Sequence, residues 1–151
     1  MDQKISVIAG GSWATAIVKI LSNNVSKIHW WVRSNETAEF IRKYKHNPNY
    51  LSDVEIDLSK IEIETDLKKA ITSSDLIILA VPSAFLKNTL EKITSDDFKG
   101  RAVFSAIKGI IPDDLLIIGD FLNQKIGIPI NQIGVITGPC HAEEVAMERL
   151  S

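Results

Sequence analysis

Short apolar runs alternate along the chain with segments in which apolar residues recur at helical spacing. Most of the short runs are rich in β-branched residues and apolar on both faces, which is typical of buried parallel strands. Strands are predicted over residues 5–9, 28–32, 61–64, 76–81, 102–106 and 133–137. Helices are predicted over residues 12–23, 36–43, 66–72, 83–93, 113–124 and 141–150.

This alternation predicts an α/β fold with a doubly wound, mostly parallel sheet of the Rossmann type. Ligands of such sheets bind at the carboxyl ends of the strands, where the strand order reverses. The sequence reaches its last residue inside the predicted helix 141–150, without a capping residue or a following glycine. We therefore expect residues 1–151 to form one domain that is incomplete at its C-terminal end, within a longer protein.

Composition narrows the class of protein. The chain has 151 residues, 45% of them hydrophobic, which suits a single domain with one core. Its formal net charge of −2 gives no reason to expect a nucleic-acid partner. One cysteine, Cys140, cannot form an internal disulfide, and no apolar run is long enough for a signal peptide or a membrane span. A cytoplasmic protein without membrane insertion is expected.

The loop after the first predicted strand resembles a dinucleotide fingerprint. Its three small-residue positions are Ala9, Gly11 and Ala14. The second glycine of this fingerprint lets the backbone approach a pyrophosphate, and the following helix start attracts the phosphate charge. Ala9 departs from the usual first glycine, and Gly10 beside it offers backbone freedom instead. The alternative is a plain strand-to-helix turn.

No acidic residue ends the second predicted strand, where an acid would hold the ribose 2′-hydroxyl. Arg33 stands there instead. Its guanidinium fits a 2′-phosphate or a stack on adenine, which favours NADP (as NADPH) while leaving NAD possible. The alternative is an ordinary solvated arginine.

Two further residues follow predicted strands. Pro82 ends the strand 76–81, and it either forms a wall of the ligand crevice or simply terminates the strand. Lys108 follows the strand 102–106 and would point toward the crevice, where an ammonium group can bind a phosphate or polarise a carbonyl. A lone lysine is more often a solvated charge.

A Gly138-Pro139 turn precedes the last predicted helix. Cys140 and His141 are adjacent, which is a poor arrangement for a nucleophile and its base. We expect no metal site, because the chain has a single cysteine and no pair of histidines at helical spacing. His29 and His46 are expected to be ordinary residues.

Taken together, these motifs resemble the N-terminal cofactor domain of bacterial NAD(P)-dependent glycerol-3-phosphate dehydrogenase. The resemblance runs through nearly the whole chain, and the order and spacing of the motifs make it specific. The motifs that carry it are Gly11-Ser12-Trp13-Ala14-Thr15-Ala16, Trp31-Val32-Arg33, Asn47-Pro48-Asn49-Tyr50-Leu51, Ala80-Val81-Pro82-Ser83, Lys108-Gly109 and Thr137-Gly138-Pro139.

The resemblance implies roles for individual residues in binding the cofactor. Ser12 and Trp13 would contact its pyrophosphate region, beside Gly11, and Arg33 and Tyr50 would lie near its adenosine half. The residues implied to bind cofactor are Gly11, Ser12, Trp13, Arg33, Tyr50, Pro82, Lys108 and Ala142.

For the substrate, the resemblance implies contacts from Lys108, Gly138 and Cys140. Lys108 would touch both the cofactor and the substrate's phosphate or hydroxyl group. The family usually has Ser or Thr where this chain has Cys140, and Phe where it has His141. A thiol is similar in size to a hydroxyl and is still a weak donor.

The implied reaction is reversible hydride transfer between NAD(P)H and dihydroxyacetone phosphate, giving sn-glycerol 3-phosphate for glycerophospholipid synthesis. In the family, a general-acid lysine lies in a C-terminal helical domain, which we expect to be absent here. We therefore expect no catalytic residue in this chain, weak cofactor binding and no turnover. The alternatives are a related β-hydroxyacid or ketopantoate-type reductase and a non-catalytic nucleotide sensor, and the sequence leaves a homodimer open.

Overall fold

The computed structural model describes residues 3–138 and 141–148. The strands are β1 (Ile5–Ile8), β2 (Ile28–Trp31), β3 (Ile61–Glu64), β4 (Leu76–Leu79), β5 (Ala102–Ser105), β6 (Ile110–Ile111), β7 (Leu116–Ile117) and β8 (Ile133–Val135). The α-helices are α1 (Ser12–Leu21), α2 (Asn35–Tyr44), α3 (Leu67–Thr72), α4 (Ser83–Thr89), α5 (Ile118–Phe121) and α6 (Ala142–Ala146). Short 3₁₀ turns cover Ser95–Phe98 and Ile130–Gln132, and a π-helical turn covers Leu122–Ile126.

Six strands form one parallel sheet in the order β3-β2-β1-β4-β5-β8. Successive strands are added first on one side of β1 and then on the other, as expected for a doubly wound sheet. This confirms the predicted fold class. The order reverses between β1 and β4, which opens the ligand crevice of such folds above their carboxyl ends.

The central strands are buried because helices cover both of their faces. Every residue of β1 and β2 is buried, which explains why these strands are apolar along nearly their whole length. In the register, Ile8 pairs with Trp31 on one side and with Leu79 on the other. The ends of β1, β2 and β4 are therefore level, and the residues that follow them meet at one edge.

The prediction of a helix over 113–124 is wrong for its first half. Residues 110–117 form an antiparallel hairpin of β6 and β7, and the helix begins only at Ile118. Pro112 and Asp113 begin the turn of this hairpin, in which Leu115 donates its N–H to the carbonyl of Ile111 at 2.8 Å. Proline presets the same φ at the first position of a helix and at the second position of a turn, so the local signal fits both.

Three other predicted helices are shorter than expected in the described part of the chain. α4 ends at Thr89 rather than at Ile93, and α1 ends at Leu21. α6 covers residues 142–146 of the predicted 141–150, and residues 149–151 lie outside the described residues. In the part of the chain that the structure describes, no helix is both long and apolar enough to cross a bilayer.

Candidate functional site

The turn between β1 and α1 has the backbone geometry of a dinucleotide loop. Ala9 has a φ of +155°, a conformation that favours glycine and is strained for an alanine. Its carbonyl accepts a hydrogen bond of 2.7 Å from Nε1 of Trp30, and its N–H donates to the carbonyl of Trp31 at 3.3 Å. The first position of the fingerprint therefore has the turn that a glycine would adopt, held in place by strand β2.

The two glycines of the loop have different surroundings. A Cβ on Gly10 would lie 3.3 Å from Cγ1 of Val32, so this glycine allows close packing against the residue after β2. A Cβ on Gly11 would meet no atom within 4 Å. Gly11 is the N-cap of α1, whose first-turn N–H groups have no intrahelical partners. The open space at Gly11 thus lies where an anionic group can approach the helix N-terminus.

Asn47 ties a second segment to this loop. The side chain is 1% exposed, and its Nδ2 donates to the carbonyl of Gly10 at 3.0 Å and to Oγ1 of Thr15 at 2.9 Å. Its Oδ1 accepts from the N–H groups of Asn49 at 3.0 Å and Tyr50 at 3.3 Å. One buried amide therefore holds both the loop and the segment that carries Tyr50. Sequence reasoning quoted Asn47 within a motif but did not assign it this role.

Trp13 connects α1 to the end of β5. Its Nε1 donates a hydrogen bond of 3.1 Å to the carbonyl of Ala106, and its ring packs against the core. The indole is thus held by a hydrogen bond at its nitrogen and by packing against the core, and it lines the space above the sheet.

A cavity of about 450 Å³ lies above the strand-order reversal. It brings together five of the residues predicted from the sequence, although they come from four separate segments of the chain. These are Ser12, Trp13, Pro82, Lys108 and Ala142. Ser83, His141 and Glu143 also line this cavity, and sequence reasoning did not assign them to the site.

A neighbouring cavity of about 440 Å³ is lined by Gly109, Thr137 and Gly138. Trp13 and Lys108 line this cavity as well as the previous one. Lys108 therefore lies at the boundary between the two cavities. Cys140, the other predicted substrate contact, lies outside the described residues, as does Pro139.

Arg33 lines a separate cavity of about 620 Å³ beyond the ends of β2 and β3. Apolar side chains of Leu67 and Phe85 line it together with the indole of Trp31, and Phe85 is 57% exposed. A cleft that combines these apolar side chains with a guanidinium suits a purine base and a neighbouring phosphate, and Asp66, Lys68, Glu91 and Lys92 add charged groups to its lining. Sequence reasoning missed Leu67 and Phe85, whose signal is only that each lies in the first turn of a helix that follows a strand.

Tyr50, which was predicted near the adenosine half, does not line this cavity. Its side chain is 46% exposed. What the structure does show is that its backbone N–H is bound by Asn47. Tyr50 is thus connected to the loop at Gly10 rather than to the cleft beside Arg33.

The chain matches the model of a known protein family. A family model described as the NAD-dependent glycerol-3-phosphate dehydrogenase N-terminus matches residues 4–151. The chain belongs to this family. The resemblance that the sequence motifs indicated is confirmed.

Curated relatives of this family agree with the assignment. Glycerol-3-phosphate dehydrogenase 1 of Salinibacter ruber, named as an NAD(P)+ enzyme, is 38% identical over 146 residues, or 96% of this chain and 42% of that protein. The corresponding enzyme of Thermoanaerobacter is 37% identical over 145 residues, again 96% of this chain and 42% of that protein. The chain thus spans about two fifths of the length of these relatives.

Solved structures place the fold in the same family. The glycerol-3-phosphate dehydrogenase of Plasmodium falciparum matches with a TM-score of 0.81 and 28% identity, over 97% of this chain and 43% of that one. The yeast enzyme from Saccharomyces cerevisiae matches with a TM-score of 0.86 and 22% identity, over the full length of this chain and 46% of that one. The second likeness concerns the fold alone.

Proposed function

We propose that this chain is the cofactor-binding part of a glycerol-3-phosphate dehydrogenase, which interconverts dihydroxyacetone phosphate and sn-glycerol 3-phosphate with NAD(P)H. The observation that carries the proposal is the convergence of Ser12, Trp13, Pro82, Lys108 and Ala142 on one cavity at the strand-order reversal. A nucleotide-binding fold with a lysine between two adjacent cavities suits an enzyme that joins a cofactor to an anionic substrate.

The residues present fit a dinucleotide cofactor, because the space that a Cβ on Gly11 would enter is open and faces a helix N-terminus. The bound nicotinamide would supply the hydride chemistry. Ser12 and the first turn of α1 would bind the pyrophosphate, and the indole of Trp13 would wall the crevice. Pro82 and Ala142 would complete the cavity from the opposite side.

Lys108 is the residue that we propose to bind the substrate in this crevice. Its ammonium would bind the substrate's phosphate or the oxygen of the carbonyl, where negative charge develops during reduction. Gly138 lines the second of the two cavities that Lys108 borders, and we place the substrate there. Cys140, two residues after Gly138 in the sequence, would also border the substrate.

For the cofactor, we propose a preference for NADP with NAD also accepted. Arg33 supports this preference because it lines the cleft that suits an adenine ring. Asp66 lines the same cleft, but its carboxylate caps α3 by accepting the N–H of Lys69 at 3.1 Å. Lys68, which pairs with Asp97 at 3.0 Å, and Lys92 also line this cleft. We assign the 2′-phosphate to Arg33 because a guanidinium binds phosphate in a bidentate way and also stacks on aromatic rings.

We further propose that residues 1–151 act as a cofactor domain whose partner, a helical substrate domain, provides the general-acid lysine of the family. On this proposal the 151-residue chain binds cofactor but does not turn over. A steady-state assay of the chain with dihydroxyacetone phosphate and NADPH is expected to give no rate above the uncatalysed one. Robust turnover would place the general acid within this chain and contradict the proposal.

Cofactor binding itself is tested with two matched glycine variants. A Cβ on Gly11 and a Cβ on Gly119 would each meet no atom within 4 Å, and neither glycine has a positive φ. Gly11→Ala and Gly119→Ala should therefore be tolerated equally by the fold. Fluorescence titration with NADPH should show a loss of affinity for Gly11→Ala only, and equal affinities would remove the loop from the proposed site.

The competing reductases and the nucleotide sensor are separated by substrate binding. The NADP-loaded chain is titrated by calorimetry with sn-glycerol 3-phosphate and, in parallel, with pantoate. We expect measurable binding of the phosphate ester that is weakened by Lys108→Met. Tighter binding of pantoate would favour a ketopantoate-type reductase, and no binding of either would favour a sensor.

A further inference from the structure

A second polar cluster lies within the sheet, away from the crevice. β2 and β3 are adjacent and parallel, and His29 pairs in register with Glu62. Glu64 lies two residues further along β3, so its side chain projects from the same face as that of Glu62. One nitrogen of His29 and one carboxylate oxygen from each glutamate lie within 4.8 Å of one another.

The imidazole of His29 is the unexplained member of this cluster. The residue is 5% exposed, and its Nδ1 is buried without a hydrogen-bond partner. Oε2 of Glu62 is 3.8 Å from this nitrogen, which is too far for a hydrogen bond. An unpaired buried nitrogen is costly and rare in folded proteins, so its environment calls for an explanation.

Two lysines account for the carboxylates but not for the imidazole. Nζ of Lys27 lies 2.7 Å from Oε2 of Glu62, and Nζ of Lys69 lies 2.6 Å from Oε1 of Glu64. Both lysine side chains are about half exposed, at 51% and 56%, and can therefore turn into solvent.

We propose that His29, Glu62 and Glu64 form a binding site for a divalent transition-metal ion such as Zn²⁺. The ion would take the lone pair of Nδ1 and one oxygen from each carboxylate, and it would replace Lys27 and Lys69 as their counter-charge. A nitrogen ligand favours Zn²⁺ over Mg²⁺ and Ca²⁺, which prefer sets made only of oxygen. Zn²⁺ bonds to nitrogen and oxygen are about 2.0–2.2 Å long, so the three side chains would close around the ion.

A solvent-filled cleft lies beside the two carboxylates of this site, although His29 itself does not line it. A cleft of about 430 Å³ along the outer edge of β3 is lined by Glu62, Glu64, Arg42 and Lys69. Water from the cleft would complete a tetrahedral shell as the fourth ligand. β3 is the outermost strand of the sheet. An ion held by both strands would cross-link this edge strand to β2, which gives the site a structural role separate from cofactor binding.

The site could not be found from residue spacing along the chain. The spacing of cysteines and histidines along the chain predicts no metal site and an ordinary role for His29. The three side chains meet only because β2 and β3 pair in this particular register. The proposal therefore replaces the expectation that the chain holds no metal.

The test uses the 151-residue chain with Cys140→Ser, which removes its only thiol as a competing ligand. Equilibrium dialysis against ZnCl₂ is expected to give one saturable ion per chain, and Co²⁺ should give the absorption of a nitrogen- and oxygen-ligated ion. Glu62→Gln should weaken Zn²⁺ binding by at least about tenfold, since even indirect partners of a metal contribute this much. Glu36→Gln, which alters an exposed carboxylate in the first turn of α2, is the matched control and should change nothing.

Two further variants, at Lys69 and His29, test the proposal. Lys69→Met removes an ammonium that competes for Glu64, so it should tighten Zn²⁺ binding, whereas a purely structural ion pair would gain nothing from this change. His29→Asn should weaken binding, with circular dichroism to verify its fold. Absence of saturable Zn²⁺ binding, or equal affinities for Glu62→Gln and Glu36→Gln, would overturn the proposal. In that case the cluster is an ion-pair network alone.

Discussion

The side-chain amide of Asn47 donates a hydrogen bond of 3.0 Å to the carbonyl of Gly10, 37 residues away along the chain. This contact holds the loop at the end of β1 through a residue distant in sequence, whereas α1 holds it through the chain that directly follows. The amide is fully used, because its two donors and its oxygen all have partners. Asn47 is thus a positioning residue for the proposed pyrophosphate site.

Asn47→Ala is expected to destabilise the fold and to weaken cofactor binding. The change leaves the partly buried carbonyl of Gly10 and N–H of Tyr50 without this partner, and a typical hydrogen bond within a protein contributes about 0.5–1.5 kcal/mol. Urea denaturation and NADPH titration measure the two effects. The control is Asn49→Ala, which alters an exposed side chain nearby. Equal behaviour of the two variants would show that the amide does not position the loop.

Ala9→Gly is expected to stabilise the chain by about 1 kcal/mol. The φ of +155° at Ala9 is strained for alanine, and relief of this strain exceeds the extra flexibility that glycine gives the unfolded state. NADPH affinity should stay unchanged or improve. Chemical denaturation gives the free energy of unfolding, and a large loss of stability or of affinity would mean that the methyl group of Ala9 has a packing role.

Arg33→Ala is expected to weaken NADPH binding more than NADH binding. Only NADPH carries the 2′-phosphate that the guanidinium would bind, so the loss should be specific to that cofactor. Parallel titrations of the two cofactors measure the difference. Lys43→Ala, which removes an exposed positive charge from α2, serves as the control for long-range electrostatics. Equal losses for the two cofactors in Arg33→Ala would remove Arg33 from this role.

The acid stability of the chain should depend on Asp97. The N–H of Thr94 donates to this carboxylate at 2.9 Å and Lys68 lies 3.0 Å from it, and these contacts lower the pKa of Asp97 below its ordinary value. A carboxyl group whose pKa is lower in the folded state stabilises that state above the unfolded pKa, which is about 3.9. This stabilisation is lost as the pH falls below about 4 and through the folded pKa.

Asp97→Asn is therefore expected to be less stable than the parent chain at neutral pH and to approach it under acid conditions. Thermal unfolding followed at a series of pH values measures this convergence. Asp96→Asn, one residue earlier on the same 3₁₀ turn, is the matched variant and should keep a constant difference from the parent. A constant difference in stability for Asp97→Asn as well would mean that its carboxylate does not contribute to the loss of stability at low pH.

The sequence was sufficient to predict the parallel sheet, because β1, β2 and β4 are short apolar runs that only a doubly covered sheet can bury. It also predicted that Ser12, Pro82 and Lys108 would converge, since residues after parallel strands meet at one edge. The hairpin at residues 110–117 was missed because Pro112 opens turns and helices alike. Asn47, Phe85 and His29 were missed because their roles arise from contacts between segments distant in sequence, which no local pattern records.

Trp13 and Lys108 line both cavities of the crevice, and Trp13 is tied to β5 through Ala106. If the cofactor and the substrate share these walls, as proposed, we expect their binding to be energetically coupled. If one ligand displaces the indole of Trp13 or the ammonium of Lys108, the binding site of the other ligand changes as well. Linkage makes this coupling reciprocal, so the factor by which a first ligand changes the affinity for a second equals the factor in the opposite direction.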